Sequence, residues 1–335
     1  MSTAGNIEAK LAKNGQLIDL YINDVLKISY PEPLYKAARH LLDAGGKRLR
    51  PSFVLESSVL VGGEPRRTIP LAAAVELLHN FTLIHDDIMD NDDLRRSVPT
   101  VHRLFGVPIA IASGDLLFAK VYEALSDWVR QNNPTSGKMA FLLDCLNSAA
   151  ISICEGQVLD ISFESSMEIK ESDYYRMIEG KTAALFKAST EIGGAAGGAD
   201  ARETAALGQY GLSAGMAFQL FDDYLGATAD EKVLGKPVGS DLREGKMTLI
   251  VVHALDHASS QEREKLVRAL GNQHLSRTDI TEIGELYISL GSLSYTLKRA
   301  DEYVQKAKQC LKEFPDCEAK QNLLELVDFF VTRKY

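Results

Sequence analysis

The chain has 335 residues, of which 45% are apolar and 25% charged, and its formal net charge is −9. This composition is typical of a folded globular protein, and the length allows a large core without disulfide or metal support. The acidic balance argues against a nucleic-acid partner, which would usually need a basic excess, but a local basic pocket for an anionic small molecule remains compatible with it.

The four cysteines and the N-terminal sequence bear on the cellular compartment. No two cysteines form a CxxC pair, which predicts reduced thiols rather than a disulfide framework or a zinc site. The N-terminus has no basic-then-apolar signal pattern, and no apolar run approaches the roughly 20 residues needed to span a bilayer. We therefore expect a cytoplasmic protein with no transmembrane segment.

Apolar residues recur at intervals of three and four along most of the chain, which is typical of buried helices. In the first long segment, 69–90, Pro70 is expected in the first turn. Further helices are predicted over 107–130, 138–163, 171–192, 203–227, 290–312 and 319–333. Strict alternation is almost absent, so strands should be few or lacking, and GGAAGG at Gly193–Gly198 should end a helix.

The chain contains no linker, charge block or internal repeat that would mark a domain boundary. We therefore predict a single all-α domain over residues 1–335. It should be a bundle of about ten or more long helices around a central apolar cavity.

Two acidic motifs follow long apolar stretches. DDIMD contains Asp86, Asp87 and Asp90, and its first and last carboxylates share a helix face because they are four residues apart. Carboxylates this close repel each other unless cations neutralise them, and hard oxygen ligands suit magnesium held jointly with substrate phosphates. FQLFDDYLG contains Asp222 and Asp223. Either motif alone also fits a solvated helix end or a surface turn, but two in one helical chain favour a metal site.

Basic residues cluster beside both acidic motifs, in segments that contain glycine. Glycine lets the backbone approach an anion, and arginine holds phosphate through two donors. A lone basic residue is usually a solvated surface charge, whereas this clustering predicts a diphosphate held by magnesium and basic side chains together. The motifs are GGKRLRP with Lys47, Arg48 and Arg50; LRRSVPTVH with Arg95 and Arg96; EGKTA with Lys181 and Thr182; and GKPVGSDLREGKMT with Lys236, Asp241, Arg243 and Lys246.

The motifs GGKRLRP, HDDIMD, LRRSVPTVH, EGQ, GKTA, FQLFDD and GKPVGSDLREGK, in this order from residue 45 to about 248, resemble the trans-isoprenyl diphosphate synthases. The archaeal-type geranylgeranyl diphosphate synthases look closest. The resemblance implies the isoprenoid synthase fold, a homodimer and a prenyltransferase that joins isopentenyl diphosphate to dimethylallyl, geranyl or farnesyl diphosphate. In that reaction the allylic carbon–oxygen bond breaks, and the double bond of isopentenyl diphosphate attacks the resulting carbocation.

The resemblance also assigns roles to particular residues. Asp86, Asp90 and Asp222 would hold magnesium, two to three ions per site, with Asp87 and Asp223 as further candidates. His79 would be read as a packed core histidine without the resemblance. The allylic diphosphate would contact Arg95, Lys181, Thr182, Gln219, Lys236 and Lys246, and isopentenyl diphosphate would contact Lys47, Arg50, His79 and Arg96.

The sequence departs from the family pattern at two positions. Gly226 stands where the second acidic motif usually has a third aspartate, so one magnesium ligand is missing or replaced by water. Ser97 stands where glycine often follows the two arginines, and we expect a small effect.

Product length depends on the floor of the cavity beneath DDIMD. Phe81 and Thr82 precede Asp86 by five and four residues, roughly 6–8 Å at about 1.5 Å per residue. In the family, bulky residues at these positions limit the chain, and one Phe with one Thr predicts a twenty-carbon product, geranylgeranyl diphosphate. From the helix geometry alone, both side chains could equally be core.

Other functions remain compatible with the sequence. A farnesyl or bifunctional farnesyl/geranylgeranyl diphosphate synthase would differ only in product length. A terpene cyclase or squalene-synthase-like enzyme would share the acidic motifs but would not need GGKRLRP for a second diphosphate. A non-catalytic partner subunit would keep the fold, and Gly226 is the feature that favours it.

Overall fold

The computed structural model describes residues 3–164, 166–228 and 239–332. The all-α prediction is confirmed, because these residues are almost wholly helical and contain two strands of two residues each. The N-terminal half contains α1 (Thr3–Val25), α2 (Glu32–Asp43), α3 (Leu49–Leu60), α4 (Pro65–Met89), β1 (Leu94–Arg95), β2 (Val98–Pro99), α5 (Val101–Phe105), α6 (Val107–Asn132) and α7 (Ser136–Phe163).

The second half begins with α8 (Glu171–Ile178), a π-helical turn (Glu179–Ala183) and α9 (Ala184–Gly197). The helices α10 (Ala201–Thr228), α11 (Ser240–Glu244), α12 (Leu249–His257), α13 (Ser260–Ala269), α14 (Arg277–Ser289), α15 (Ser292–Cys310) and α16 (Glu318–Thr332) follow. The seven predicted segments match α4, α6, α7, α8 with α9, α10, α15 and α16 within a few residues, except that 171–192 divides at the π-helical turn.

The helix that carries DDIMD begins one turn earlier than predicted. Pro65 lies in its first turn, and Pro70 lies inside the helix, so the placement of Pro70 in the first turn was wrong. Arg66 and Arg67 in the added turn are exposed, and their polar side chains give no apolar periodicity. Pro70 removes one intrahelical hydrogen bond, but its buried ring packs in the core.

The core brings α3, α4, α9 and α10 against one another. Phe53 on α3 packs edge-on against Phe186 on α9 and stacks on Tyr210 of α10. Close approach of α3 and α9 requires glycine, because a Cβ on Gly193 would lie 2.2 Å from the Val54 carbonyl oxygen. The helix α9 ends at Gly197 and Gly198 follows at φ 106°, so GGAAGG ends a helix as predicted.

A tight hairpin follows DDIMD. The strands β1 and β2 are antiparallel, and the two residues between them, Arg96 and Ser97, have φ values of 53° and 62°. Two successive positive φ values are typical of a type I′ turn, where glycine is favoured. The glycine that the family often has at position 97 would therefore adopt this backbone more easily than serine.

One described helix, α7, is long and apolar enough to cross a membrane by length and composition alone. A third of its most apolar 18-residue window is buried within the protein. The core helix of a globular protein passes the same test, so this finding is weak support for membrane insertion.

Candidate active site

The first acidic motif ends α4 and presents its three aspartates differently. Asp86 and Asp90 are partly exposed, and Lys181 Nζ lies 3.5 Å from Asp86 Oδ1 while Lys246 Nζ lies 3.2 Å from Asp90 Oδ1. Burial and then the charge of Asp86 raise the pKa of Asp90. The first and last carboxylates therefore share a face with two ammonium groups.

Asp87 points away from that face. It is fully buried and accepts a hydrogen bond of 2.5 Å from Arg95 Nε, and Arg95 also contacts Asp92 at 3.2 Å. Burial raises the pKa of Asp87 to about 6, with Arg95 opposing the shift. In this position Asp87 orients Arg95. The role of Asp87 as a candidate metal ligand and the role of Arg95 as a diphosphate ligand stay predictions.

The two lysines converge on a carboxylate that sequence reasoning missed, Asp160 on α7. Its Oδ2 accepts hydrogen bonds from Lys181 Nζ at 2.6 Å and from Lys246 Nζ at 3.3 Å. Glu164, one turn further along, accepts from Lys246 at 2.7 Å. Burial would raise the pKa of Asp160, but the two ammonium charges outweigh it and lower that pKa.

Glycines in two of the motifs bring these groups together. A Cβ on Gly156, in the EGQ segment of α7, would lie 2.2 Å from the backbone nitrogen of Lys181. A Cβ on Gly180 would lie 2.7 Å from the Ser152 carbonyl oxygen. The π-helical turn thus lies directly on α7, and Lys181 reaches Asp160 one turn beyond Gly156. Such turns occur frequently at functional sites.

The second acidic motif ends α10, and its two aspartates also differ. Asp222 is exposed, whereas Asp223 is buried and accepts hydrogen bonds from Tyr174 Oη at 2.6 Å and Gln219 Nε2 at 2.8 Å. Thr182 in turn donates to Gln219 Oε1 at 2.7 Å. Burial raises the pKa of Asp223 to about 8. This chain of hydrogen bonds joins the π-helical turn to the second motif.

The basic residues of GGKRLRP divide between core and site. Arg48 is buried and pairs with Glu76 at 2.9 Å and Asp19 at 2.8 Å, so it ties α1, α3 and α4 together. The guanidinium of Arg50 lies 4.5 Å from the centroid of the Phe186 ring, with Nη1 3.3 Å from His79 Nε2.

The remaining predicted cations lie nearby or outside the described part. Lys47 is exposed, with Nζ 5.2 Å from the centroid of the Phe329 ring on α16. Arg96 donates to the carbonyl oxygens of Leu41, at 2.7 Å, and Gly45. Lys236 lies outside the described residues. The carbonyl oxygens of Leu41 and Gly45 therefore hold the Arg96 side chain in place.

His79 is enclosed between Arg50 and the other arginines of this region. Burial lowers its pKa well below the usual 6.5, and the charges of Arg50, Arg96 and Arg95 lower it further. Burial and these arginines therefore disfavour the protonated imidazole, and its Nε2 lies within hydrogen-bond distance of Arg50.

We expect acid to destabilise the wild type relative to His79→Gln. Below pH 6.5 the unfolded chain gains an imidazole proton that the folded chain does not. The free energy of unfolding therefore decreases as the pH is lowered, until the depressed pKa of the folded state is reached. The maximal slope is about 1.4 kcal/mol per pH unit. Urea unfolding of both proteins at about pH 7.5 and about pH 5.5 measures it. A stability difference that does not change with pH would contradict the neutral imidazole.

Aromatic side chains pack against one another, edge-on or tilted, beneath DDIMD. Phe81 lies 4.8 Å from the His85 ring and 5.1 Å from the Phe118 ring of α6, and Phe118 lies 5.4 Å from the Tyr122 ring (centroid distances). Thr82 donates its hydroxyl hydrogen to the His79 carbonyl oxygen at 2.8 Å. Phe81 is thus the first member of an aromatic row that extends from α4 to α6.

The donor set suits magnesium. Asp86 Oδ1 is buried and accepts no hydrogen bond within the described part of the chain, although Lys181 forms an ion pair with it at 3.5 Å. Magnesium prefers such hard carboxylate oxygens. Asp87 Oδ2 also accepts no hydrogen bond there, but it belongs to the carboxylate that points away from this face. The residues that the structure describes contain no ready-made group of three or more His, Cys, Asp or Glu ligands. Ammonium groups stand between the carboxylates instead. The residues therefore fit a cation that is bound together with a diphosphate.

The fold and the opposed carboxylates and ammonium groups indicate an all-helical enzyme class that handles anionic substrates, and the comparisons identify it. The polyprenyl synthetase family model matches residues 31–287. The chain is 43% identical over 325 residues to the short chain isoprenyl diphosphate synthase of Methanothermobacter thermautotrophicus, covering 97% of this chain and 98% of that protein. This chain belongs to the polyprenyl synthetase family.

Solved structures agree. The geranylgeranyl pyrophosphate synthetase from Pyrococcus horikoshii has a TM-score of 0.93 and 40% identity, covering 99% of this chain and 100% of that one. The polyprenyl synthase from Caulobacter crescentus, complexed with calcium and isoprenyl diphosphate, has a TM-score of 0.87 and 35% identity, covering 99% and 97%. The expected isoprenoid synthase fold is confirmed.

Proposed function

We propose that this protein is a short-chain prenyltransferase that condenses isopentenyl diphosphate with allylic diphosphates to geranylgeranyl diphosphate. One observation carries the proposal. Lys181 and Lys246 meet Asp86, Asp90 and Asp160 at the ends of α4 and α7, in a chain that belongs to the polyprenyl synthetase family. Cations and carboxylates in alternation suit a diphosphate that is held partly by metal and partly by ammonium groups.

In the proposed mechanism, the allylic C1–O bond breaks and its electron pair leaves with the diphosphate. Lys181, Lys246 and Arg95 would stabilise the departing charge. Asp86, Asp90 and Asp222 would hold two to three magnesium ions, with Asp87 and Asp223 as further candidates. When bound, these ions would supply positive charge that neutralises the diphosphate. Thr182 and Gln219 would orient the allylic diphosphate from the π-helical turn and α10.

The second substrate would lie against the arginine cluster. Lys47, Arg50, His79 and Arg96 would hold isopentenyl diphosphate with its double bond toward the allylic cation. Attack forms the new carbon–carbon bond, and transfer of a proton to the departed diphosphate restores a double bond. The surrounding apolar helices would exclude the water that would otherwise quench the cation.

Incubation of the pure protein with magnesium, isopentenyl diphosphate and each allylic starter tests this function. We expect both substrates to be consumed and a twenty-carbon diphosphate to accumulate. Consumption of the allylic substrate alone would indicate a cyclase, and a fifteen-carbon end product would indicate a farnesyl diphosphate synthase. Turnover that appears only after mixing with another synthase would indicate a non-catalytic partner subunit.

Phe81→Ala should lengthen the product beyond twenty carbons. The substitution removes the first ring of the aromatic row and opens space toward Phe118 and Tyr122. Chromatography of the dephosphorylated products gives the chain length. Phe105→Ala is the matched control, because Phe105 packs near His40 instead, and its product should be unchanged. An unchanged length in the Phe81 variant would remove Phe81 from the floor.

We also propose a cytoplasmic homodimer built on the single domain 1–335. Exposed apolar surface on α6 and α7 supports it, because such surface is often covered by a partner. The exposed apolar side chains are Val107, Ile111, Met139, Phe141, Ile151, Val158 and Ile161. Pairing with a second copy would cover this surface and also account for the apolar character of α7, and sedimentation velocity measures the resulting mass.

A further inference from the structure

Gly226 leaves room for a carboxylate from another segment. It stands four residues after Asp222 on α10, on the same helix face. A Cβ on Gly226 would lie 2.7 Å from Asp241 Oδ2, so the Asp241 carboxylate occupies the space that a longer side chain at position 226 would take. Asp241 lies on α11, in the motif GKPVGSDLREGK.

The second acidic motif presents one exposed carboxylate. Each of the two oxygens of Asp223 already accepts a hydrogen bond, from Tyr174 and Gln219, and the side chain is buried. Asp222 is therefore the exposed carboxylate of the pair. Magnesium is usually held by one or two carboxylates together with substrate phosphates, so a second carboxylate on this face would complete the set.

A buried hydroxyl beside Asp241 points independently to a ligand. Tyr287 on α14 is 6% exposed, and its hydroxyl has no hydrogen-bond partner among the residues that the structure describes. It lines one small cavity together with Asp223, Gly226, Asp241 and Lys246, and the exposed Asp222 lies outside that lining, one turn before Gly226 on α10. A buried polar group without a partner calls for an ion or water that it contacts.

We propose that Asp241 supplies the carboxylate that Gly226 lacks, so that Asp222 and Asp241 together hold a divalent cation at the second acidic motif. Tyr287 would donate its hydroxyl hydrogen to an oxygen bound to that cation. The inference rests on the proposed function. It implies that the carboxylate ligand absent at position 226 is supplied from Asp241 instead of being lost.

Exchange of the carboxylate between the two positions tests the proposal. Binding of Mn²⁺ in the presence of inorganic pyrophosphate is followed by the electron paramagnetic resonance signal of free Mn²⁺. The proteins are wild type, Asp241→Ala, Gly226→Asp and the double variant Gly226→Asp/Asp241→Ala. Asp256→Ala, an exposed aspartate on α12, is the matched control. Circular dichroism establishes that each variant is folded, and Asp241→Asn replaces Asp241→Ala if the latter is not.

We expect Asp241→Ala to bind one fewer Mn²⁺ per chain, or to bind its weakest ion roughly tenfold less tightly. Gly226→Asp alone should also weaken binding, because its side chain meets the Asp241 carboxylate. The double variant should recover most of the loss, since the carboxylate returns from α10. Binding by Asp241→Ala equal to that of the wild type, or a double variant no better than Asp241→Ala, would overturn the proposal.

This experiment separates the inference from the proposed function. Mn²⁺ binding is measured without isoprenoid substrates, so it does not depend on turnover. A wild type that makes prenyl diphosphates while Asp241→Ala binds Mn²⁺ normally refutes only the inference. A wild type without turnover whose Mn²⁺ binding depends on Asp241 refutes only the proposed function.

Discussion

Asp86→Ala should reduce turnover by roughly a thousandfold or more while the protein stays folded. Asp86 is the first carboxylate of the face that meets Lys181, and its removal would take away a proposed magnesium ligand at the departing diphosphate. Stability should change little, because the deletion relieves repulsion between Asp86 and Asp90. Burial is the largest cause of the raised pKa of Asp90, and the charge of Asp86 is the next. Steady-state kinetics with saturating magnesium and a thermal melt measure both quantities.

Asp93→Ala is the matched control for this substitution. Asp93 follows the same motif, but its side chain is 78% exposed and pairs with Arg103 at 2.6 Å. Its removal should leave turnover near the wild-type value, because exposed ion pairs contribute little. Near-normal activity of the Asp86 variant would show that the metal assignment is wrong.

Asp160→Asn should lower kcat/KM for the allylic diphosphate by about 10- to 100-fold. The amide keeps the shape of Asp160 but cannot counter the charges of Lys181 and Lys246, so both ammonium groups would shift toward Asp86 and Asp90. Asp160 acts through the lysines and is a positioning residue. The loss should therefore appear more strongly with the allylic substrate than with isopentenyl diphosphate, whereas a general folding defect would affect both.

Two further variants sharpen this prediction. Glu164→Gln removes a partner of Lys246 alone, at a more exposed position, and should cost less. Asp160→Glu restores the charge and should recover part of the activity. Equal losses for both substrates, or no recovery with glutamate, would contradict a positioning role for Asp160.

Periodicity in the sequence was sufficient to predict seven helical segments, but α1 to α3, α5 and α11 to α14 were not among them. Most of the motifs that meet at the site were recognised from their residue types and spacing instead. Periodicity could not show how each helix is rotated. Adjacent aspartates point about 100° apart on a helix, yet only the packing decides that Asp87 and Asp223 face inward while Asp86 and Asp222 face outward. The first turn of α4 was missed because its exposed arginines give no apolar signal.

The carboxylates that pair with the lysine side chains of the site were harder to predict than the lysines themselves. Asp160 lies five residues after Glu155 in EGQVLD, and its position on α7 gave no indication that it would meet two lysines from later segments. That meeting depends on the close contact of Gly156 with Lys181, which is a tertiary property. Gly226 was likewise read as a missing ligand, because position alone did not show that Asp241 lies against it.

The lysine bridges between Asp86, Asp90 and Asp160 also bear on how ligands would enter. In this arrangement the protein carries internal counter-ions, and a diphosphate that draws the ammonium groups toward itself would release carboxylates for metal ions. Each ligand would then raise the affinity for the other by the same factor, as thermodynamic linkage requires. The metal–diphosphate complex would replace the internal ion pairs as a nearly charge-balanced exchange, which keeps the cost of changing the charge in a mostly buried site small.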